Sequence, residues 1–439
     1  MRAPFENRIW DPAETLPASE LRSLQAKRLA TTLERVARVP FYREALAAAK
    51  VDPAAIRSAD DVRRLPFTVK DDLRRTYPLG LLAVPRADVA RVHGSSGTTG
   101  KSTFVAYTKK DLETWSGLCA RFLTAGGLRR EHTVHIAFGF GLFTGGFGLF
   151  AGVERVGAAI VPLGGGNTPK QIELIQDLQA DVLVCTPSYA LHIAEVFEAK
   201  GFRPEQISLA FGHFGAEPWT EEMRIEIERS LGLLAFNNYG LSEVMGPGVS
   251  GECWARTGMH VNEDHFLVEC IHPETLEPVP DGTLGELVFT SLTKEALPIL
   301  RYRTRDLAVL DRSPCPCGRT GARMSRVKGR SDDMLIIRGV NVFPSQIEEA
   351  LLRVEGSAPH YLIEVSRPSA LDEVVVKVEV RPGDFRDEMR QMVELRDRID
   401  REIHAVTGIR MTVELVAPNT LERSQGKAKR VIDHRKTRG

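Results

Sequence analysis

A run of glycines, hydroxyl residues and one lysine stands at Ser95-Ser96-Gly97-Thr98-Thr99-Gly100-Lys101. Glycines let successive backbone N–H groups converge on an anion, and the hydroxyls and the ammonium add donors and positive charge. These residue types in this order predict a loop that grips phosphate. A flexible Ser/Gly hairpin is the alternative, but a linker needs neither a lysine nor paired threonines.

The loop differs from a Walker P-loop in two ways. The first glycine of G-x-x-x-x-G-K-S should stand at position 95, which is Ser95, and the glycine comes one place earlier. The residues that follow, Thr103 to Thr108, are β-branched and aromatic and predict a strand, where a P-loop has a helix N-terminus. A loop between two strands predicts a hairpin lid over a triphosphate.

Cysteines and a histidine with metal-ligand chemistry stand at Cys253, His260, Cys315 and Cys317. A C-x6-H pair with a C-x-C pair supplies the thiolates and imidazole that a closed tetrahedral zinc site uses, and His265 is a spare candidate. The alternative is that the two later cysteines lie in a Pro/Gly turn and His260 is an ordinary surface histidine.

Alternating helix and strand patterns position further chemical groups between residues 147 and 240. The alternation predicts βαβ units, hence an α/β fold with a mostly parallel sheet. Ligands bind such sheets at the carboxyl ends of the strands. Three stretches are therefore predicted as loops at that edge: Phe211 to Glu217, Asn237 to Glu243 and Arg301 to Asp306.

A second, smaller module is predicted after Gly329-Arg330-Ser331-Asp332-Asp333, which marks a boundary between domains 1–329 and 330–439. Helical patterns at 342–354 and 385–406 flank strand patterns at 361–365 and 373–380, which indicates an α+β module. The tail from Ser424 to Arg430 is basic, but composition alone gives its lysines no role.

Composition narrows the class of protein. Across 439 residues Lys+Arg and Asp+Glu both total 58, a balance that argues against a dedicated nucleic-acid or membrane-surface binder. The start of the chain has no apolar run, and no later stretch approaches the length of a membrane span, so a cytoplasmic protein is expected. Six cysteines are too few for a disulfide framework.

Five ordered motifs together resemble the acyl-adenylate-forming, AMP-binding enzymes. They are the loop Ser95 to Lys101, Tyr239 to Glu243, Arg303 to Asp306, Gly329 to Asp333 and Gly426-Lys427. The runs 239–249, 292–306 and 332–349 resemble more specifically the phenylacetate–CoA ligases. The resemblance extends over essentially the whole chain and implies a large N-terminal domain with a small mobile C-terminal one.

The resemblance implies two half-reactions: a carboxylate attacks the ATP α-phosphate, and the CoA thiol then displaces AMP. The loop would grip the β and γ phosphates, Tyr239 would stack on adenine and Asp306 would accept the ribose hydroxyls. Taken alone, Asp306 could equally pair with Arg303 or Arg305. The full implied nucleotide set is Ser95, Ser96, Gly97, Thr98, Thr99, Gly100, Lys101, Ala216, Glu217, Asn238, Tyr239, Gly240, Ser242, Asp306 and Arg330.

The catalytic residues implied by the resemblance are Lys427, Glu243 and Asp332. Lys427 would neutralise charge that builds between the carboxylate and the α-phosphate. Glu243 would hold Mg²⁺, although a glutamate at this kind of position is ordinarily a surface residue that begins a helix. Asp332 would be the hinge that swings the small domain between the half-reactions.

An apolar slot for the acid is expected from the aromatic and glycine residues. The implied set is Phe138, Phe140, Gly141, His213, Phe214, Gly215 and Pro247, with buried packing as the alternative for each aromatic. Phenylacetate is the expected acid, while benzoate-type or hydroxy- and amino-substituted acids, or an acceptor other than CoA, are left open. The expected cofactors are Mg²⁺ and structural zinc, and the expected substrates are ATP, CoA and an aryl acid. No nucleic-acid or membrane partner is expected. A homodimer is one expected assembly.

Overall fold

The computed structural model describes residues 5–95, 103–338, 340–368, 371–381, 389–422 and 430–437. The loop residues Ser96, Gly97, Thr98, Thr99, Gly100 and Lys101 and the tail residue Lys427 lie outside the described residues. One compact unit lies within Met1–Cys185, Ser208–Ala216 and Leu234–Arg326, and a second within Thr186–Ile207, Glu217–Leu233 and Val327–Gly439.

The described α-helices are α1 (Ala18–Val36), α2 (Pro40–Ala48), α3 (Lys70–Arg75), α4 (Lys109–Ala125), α5 (Thr144–Val156), α6 (Thr168–Asp177), α7 (Pro187–Ala199), α8 (Glu221–Leu231), α9 (Pro344–Leu352) and α10 (Met389–Thr407). Among the described residues, no helix is both long and apolar enough to cross a membrane.

The described strands are β1 (Arg91–Gly94), β2 (Phe104–Tyr107), β3 (Thr133–Ile136), β4 (Ala159–Val161), β5 (Val182–Cys185), β6 (Phe211–Phe214), β7 (Leu234–Leu241), β8 (Gly246–Glu252), β9 (Met259–Val261), β10 (Phe266–Ile271), β11 (Leu284–Ser291), β12 (Tyr302–Asp311), β13 (Arg323–Met324), β14 (Gly329–Arg330), β15 (Leu335–Ile337), β16 (Val340–Val342), β17 (Ser357–Ser366), β18 (Glu373–Val380), β19 (Thr412–Val416) and β20 (Val431–Asp433).

The parallel part of the large sheet has the order β4-β3-β5-β6-β7. Its strand β5 is buried along its whole length, which suits an uninterrupted apolar run in a strand with parallel neighbours on both sides. Helices alternate with these strands along the chain, and the helical pattern from Pro187 to Ala199 predicts α7 with its observed bounds. The α/β prediction is confirmed.

From β7 the sheet continues with antiparallel pairing in the order β7-β8-β9-β13-β12-β11-β10. The sheet is therefore mixed, where the sequence predicted mostly parallel pairing. All three stretches predicted as loops are largely strand: residues 211–214 lie in β6, 237–241 in β7 and 302–306 in β12. Asn and Gly favour turns locally, but pairing with β6 and β8 on both sides holds β7 extended.

Strands β1 and β2 form an antiparallel hairpin, with Arg91 opposite Tyr107 and Gly94 opposite Phe104. The predicted strand on each side of the phosphate loop is therefore present. Helix α4 starts directly afterwards, because Thr108 Oγ1 accepts the Asp111 N–H at 3.0 Å while Asp111 accepts the Thr108 N–H at 2.9 Å.

The C-terminal part of the second unit is the predicted α+β module. Its sheet has the order β19-β18-β17-β20, and the module also contains the helices α9 and α10. Helix α10 contributes Leu395, Ile399 and Ile403, spaced by four residues along one face, to the core of this module. The boundary between 329 and 330 stays a prediction, since this unit also contains α7 and α8.

Candidate functional site

Tyr239 and Asp306, far apart in the chain, meet across the large sheet. The Tyr239 hydroxyl donates to Asp306 Oδ2 at 2.6 Å, and the Tyr239 ring lies against Phe289 with centroids 6.1 Å apart. Arg303 and Arg305, the alternative partners of Asp306, both form ion pairs with Glu286. The residues expected to bind adenine and ribose are thus joined by one hydrogen bond.

The end of β6 is held tightly against β7. Asn238 Nδ2 donates to the Phe214 carbonyl oxygen at 2.8 Å, and a Cβ on Gly215 would lie only 2.5 Å from the Asn238 carbonyl oxygen. The chain then turns at Ala216, whose φ of 71° is in the left-handed region that side chains rarely adopt. Such a conformation at a predicted nucleotide residue is a common feature of functional sites.

Glu243 lies in the turn at residues 242–245 that joins β7 to β8. The residue is 6% exposed, so the alternative of a surface glutamate that begins a helix is wrong. The neighbouring Ser242 hydroxyl lies 3.0 Å from the Thr144 hydroxyl, which ties the turn to the start of α5. Lys70 Nζ lies 3.7 Å from Glu243 Oε1. A buried carboxylate of this kind offers the oxygen ligand that Mg²⁺ prefers.

Side chains from β2 and α4 hold the same turn from within the core. The Tyr107 hydroxyl donates to the Met245 carbonyl oxygen at 2.7 Å, and its ring stacks on Trp115 with centroids 4.9 Å apart. Burial, together with the charges of Asp111 and Glu243, raises the pKa of Tyr107 well above its ordinary value. Tyr107 therefore stays a neutral hydrogen-bond donor that fixes the backbone beside Glu243.

The flanks of the phosphate loop are fixed by hydrogen bonds. The Ser95 N–H donates to the Thr103 carbonyl oxygen at 3.0 Å, and the two hydroxyls of these residues lie 2.7 Å apart. The Gly94 N–H donates to the Leu142 carbonyl oxygen at 2.9 Å. These contacts anchor the loop next to the segment that carries the predicted acid-binding residues Phe138, Phe140 and Gly141.

The predicted acid-binding residues fall into two groups in the structure. The Phe140 ring packs on Phe147 and Phe150 of α5, and a Cβ on Gly141 would meet no atom within 4 Å. The Trp115 indole N–H donates a hydrogen bond to the Pro247 carbonyl oxygen at 2.8 Å. These three belong to the surroundings of α5.

His213 belongs to the other group, in the core between α4 and β7. Its ring is fully buried between Phe122 and Phe236, with centroids 5.8 and 5.6 Å away. Burial lowers the pKa of His213 to about 3, so the ring is neutral. Neither ring nitrogen has a hydrogen-bond partner among the described residues. Its contact with an acid stays a prediction.

The second unit carries Glu217, Arg330 and Asp332. Glu217 Oε1 accepts the Ser188 N–H at 2.7 Å at the start of α7. The Arg330 guanidinium binds the Asp332 carboxylate through two hydrogen bonds, at 2.9 and 3.0 Å. The predicted hinge residue and the predicted ribose or phosphate ligand are therefore paired with each other.

Cys253, His260, Cys315 and Cys317 come together in the first unit as predicted. All four are buried, and their possible ligand atoms lie within 4.8 Å of one another. The Cys253 and Cys315 sulfurs are 3.7 Å apart, and the Cys317 sulfur is 3.3 Å from His260 Nε2. The alternative, in which Cys315 and Cys317 merely lie in a Pro/Gly turn and His260 is on the surface, is wrong. His265 stands apart, with Nδ1 2.7 Å from the Thr293 hydroxyl.

The hydrogen bond from Cys253 lowers the pKa of Cys315, which favours the thiolate. Thiolates are the form in which cysteine binds metals. The cluster therefore has the donor types, burial and separations that a closed metal site needs.

Two buried or partly buried lysines were missed in the sequence: Lys70, which opens α3 and pairs with Glu243, and Lys294, which is fully buried after β11. Lys294 stands next to Glu295, and such a pair of opposite charges is no signal for a buried lysine. For Lys70 the local sequence carries no signal either.

Comparisons with known proteins agree with this arrangement. Residues 14–293 match the family model described as AMP-binding enzyme, and residues 339–435 match the AMP-binding enzyme C-terminal domain. The phenylacetate-coenzyme A ligase of Thermus thermophilus is 50% identical, over 96% of this chain and 98% of its own. The Escherichia coli phenylacetate-coenzyme A ligase is 48% identical, over 98% of both chains.

A solved structure is similar over the whole chain. The 2-hydroxyisobutyryl-CoA ligase in its postadenylation state, in complex with 2-HIB-AMP, has a TM-score of 0.93 and 30% identity, covering 100% of this chain and 94% of its own. The same ligase in its thioesterification state, with CoA, has a TM-score of 0.72, covering 96% of this chain and 91% of its own.

Proposed function

The chain belongs to the AMP-binding enzyme family, and we propose that it converts phenylacetate, ATP and CoA to phenylacetyl-CoA, AMP and pyrophosphate through an acyl-adenylate. The observation that carries the proposal is identity of 48 to 50%, over almost the full length, to relatives named phenylacetate-coenzyme A ligase. The reaction class is an AMP-forming acid–CoA ligation.

The nucleotide would be held mainly by β7, β12 and the loop between β1 and β2. Tyr239 would stack on adenine and Asp306 would accept the ribose hydroxyls, while their mutual hydrogen bond keeps the two groups in a fixed relation. The loop Ser95 to Lys101 would grip the β and γ phosphates. Glu217 and Ala216 would line the nucleotide.

Glu243 fits the role of the Mg²⁺ ligand, because its carboxylate is buried in a turn that Tyr107 and Thr144 hold in place. The ion, when bound, neutralises the charge that develops on the leaving pyrophosphate. The acid would lie beside Phe138, Phe140 and Gly141, where the backbone at Gly141 faces open space.

The small module would change position between the half-reactions, with Asp332 as the hinge. The 2-hydroxyisobutyryl-CoA ligase has been solved in a postadenylation and in a thioesterification state, which supports such a change in a homologous chain. Arg330 would exchange Asp332 for ribose or phosphate when the nucleotide binds.

The first test is ATP–pyrophosphate exchange with a panel of acids: phenylacetate, benzoate, hydroxy- and amino-benzoates, and fatty acids. We expect exchange with phenylacetate above the other acids, and CoA-dependent release of AMP. Exchange without turnover of CoA would indicate another acceptor. Exchange favouring a substituted benzoate would replace the proposed substrate, and no exchange with any acid would refute the reaction class.

We further propose that Cys253, His260, Cys315 and Cys317 hold one structural zinc ion. A tetrahedral zinc with Zn–S bonds of about 2.3 Å separates two sulfur ligands by about 3.8 Å, and the Cys253 and Cys315 sulfurs are 3.7 Å apart. Four protein ligands close the coordination shell, so the role would be structural. Asn7 donates to the Cys317 carbonyl oxygen at 2.8 Å, so the ion would also stabilise the N-terminal segment docked there.

Metal analysis of the purified protein is expected to find about one zinc per chain. Cys315→Ala should lose that zinc and lower the Tm by several degrees, because three ligands and a buried cavity remain. The matched control is Cys270→Ala, since Cys270 is similarly buried but lies outside the cluster. Protein that contains no zinc, or zinc retained by Cys315→Ala, would contradict the site.

We also propose that the chain forms a homodimer, is cytoplasmic, binds neither nucleic acid nor membrane, and has its hinge at Asp332 and its domain boundary between 329 and 330. Size-exclusion chromatography with light scattering tests the first of these directly.

A further inference from the structure

His93 is a buried histidine of β1, two residues before the phosphate loop. Its ring lies in an aromatic enclosure, with centroids 5.5 Å from Tyr107, 5.6 Å from Trp115 and 5.7 Å from Phe147. Burial lowers the pKa of His93 below its ordinary value, so the ring is neutral at neutral pH. Packing against three rings fixes the direction in which the ring nitrogens point.

The histidine donates a hydrogen bond to the segment that joins β3 to α5. His93 Nδ1 lies 3.1 Å from the Leu142 carbonyl oxygen. A carbonyl oxygen only accepts, so Nδ1 carries the single proton of the neutral ring, and Nε2 has no partner among the described residues. The Gly94 N–H donates to the same oxygen at 2.9 Å. Two consecutive residues of β1 therefore hold one carbonyl group.

The two sides of this contact are anchored to different degrees. Strand β1 pairs with β2 along its whole length, and hydrogen bonds between Ser95 and Thr103 continue the pairing. The segment between β3 and α5 has no regular structure, and although Phe140 packs on α5, Leu142 is 58% exposed and Phe143 53%. Packing gives this end of the segment little support, so its position depends on the hydrogen bonds from β1.

We propose that His93 is a positioning residue for the acid: its hydrogen bond to Leu142 fixes the segment that carries Phe138, Phe140 and Gly141 at the base of the phosphate loop. This inference rests on the proposed role of that segment in binding the acid. The hairpin is the rigid partner, so loss of the bond loosens the acid site and leaves the phosphate loop in place. Binding of the acid must then also order the segment, which weakens binding without changing the chemistry of adenylation.

The first test compares His93→Leu with His93→Asn in ATP–pyrophosphate exchange. The two new side chains have similar size and shape, but only the asparagine amide donates from near the position of Nδ1. In His93→Leu the KM for phenylacetate is expected to rise about fivefold, while kcat and the KM for ATP change by less than about twofold. His93→Asn should recover most of the wild-type KM, although it leaves a similar cavity beside the three rings.

Limited proteolysis of the ligand-free protein measures the same contact without substrate. Chymotrypsin cleaves after large apolar residues, and the exposed Leu142 and Phe143 offer it two sites. Cleavage requires the segment to open, so chymotrypsin should cut His93→Leu there about fivefold faster than the wild type. His93→Asn should be cut at close to the wild-type rate.

Two further variants guard the comparison. His93→Phe keeps a ring in the enclosure and removes the donor, so it takes the place of His93→Leu if that variant does not fold. Val92→Ala is the matched control on the same strand, because Val92 is exposed and its side chain lies on the opposite face of β1. The control should match the wild type in both measurements.

Unchanged cleavage in folded His93→Leu would overturn the proposal. An equal defect in His93→Leu and His93→Asn would also overturn it, because packing and not hydrogen bonding would then explain the effect. Faster cleavage with an unchanged KM for phenylacetate would refute the role in positioning the acid. If the wild type shows no exchange with any acid, the ligase reaction and that role are both refuted, and proteolysis decides the His93 contact alone.

Discussion

Lys427→Ala is expected to lower acyl-AMP formation by about 10³-fold while thioester formation from supplied acyl-AMP stays close to the wild-type rate. The lysine would place positive charge where the carboxylate and α-phosphate oxygens accumulate negative charge. Attack on the α-phosphate occurs in the first half-reaction alone, because the CoA thiol attacks the acyl carbon in the second. ATP–pyrophosphate exchange measures the first step, and release of AMP from synthetic phenylacetyl-AMP and CoA measures the second.

Arg430, the first described residue after the tail that contains Lys427, is held in the C-terminal module. Arg430 lies over the Tyr361 ring at 4.5 Å and pairs with Glu348 at 3.3 Å, and its carbonyl oxygen accepts the Ile363 N–H. Glu217 is among the charges that interact with Arg430.

Lys429→Ala is the matched control, because it removes the same charge from the same tail. It should keep most of the exchange activity. Equal loss in both half-reactions for Lys427→Ala, or equal loss of exchange in both variants, would refute a specific role in adenylation.

Asp332→Pro is expected to spare adenylation and to lower the CoA-dependent step by about 10²-fold or more. Proline fixes its own φ near −65° and restricts the preceding residue, so it removes the backbone freedom that a hinge requires. Single-turnover experiments should show acyl-AMP accumulating on the enzyme after CoA is added.

Asp332→Ala separates the hinge from the side-chain contact. It deletes the pair with Arg330 but leaves the backbone free, so both half-reactions should change little. Normal overall turnover of Asp332→Pro would contradict the hinge. An equal defect in Asp332→Ala would instead assign the effect to the Arg330 contact.

Much of the fold could be predicted because its signals are local. The sequence patterns predict α7 and the helices and strands of the C-terminal module with bounds close to those observed. The pairing direction beyond β7 could not be predicted in the same way. Residues 237–241 have turn-forming composition, and their extended conformation depends on hydrogen bonds to β6 and β8, which come from other parts of the chain.

For the candidate site, the sequence by itself determined the family, the order of the motifs and the identity of the four residues of the Cys/His cluster, since these depend on residue type and spacing. The tertiary structure alone decided that Tyr239 bonds to Asp306 and that Arg303 pairs with Glu286. It also decided that Lys70 pairs with Glu243. Electrostatic balance depends on distance in space, and segments that are distant in sequence carry no local pattern that reveals which charges will become neighbours.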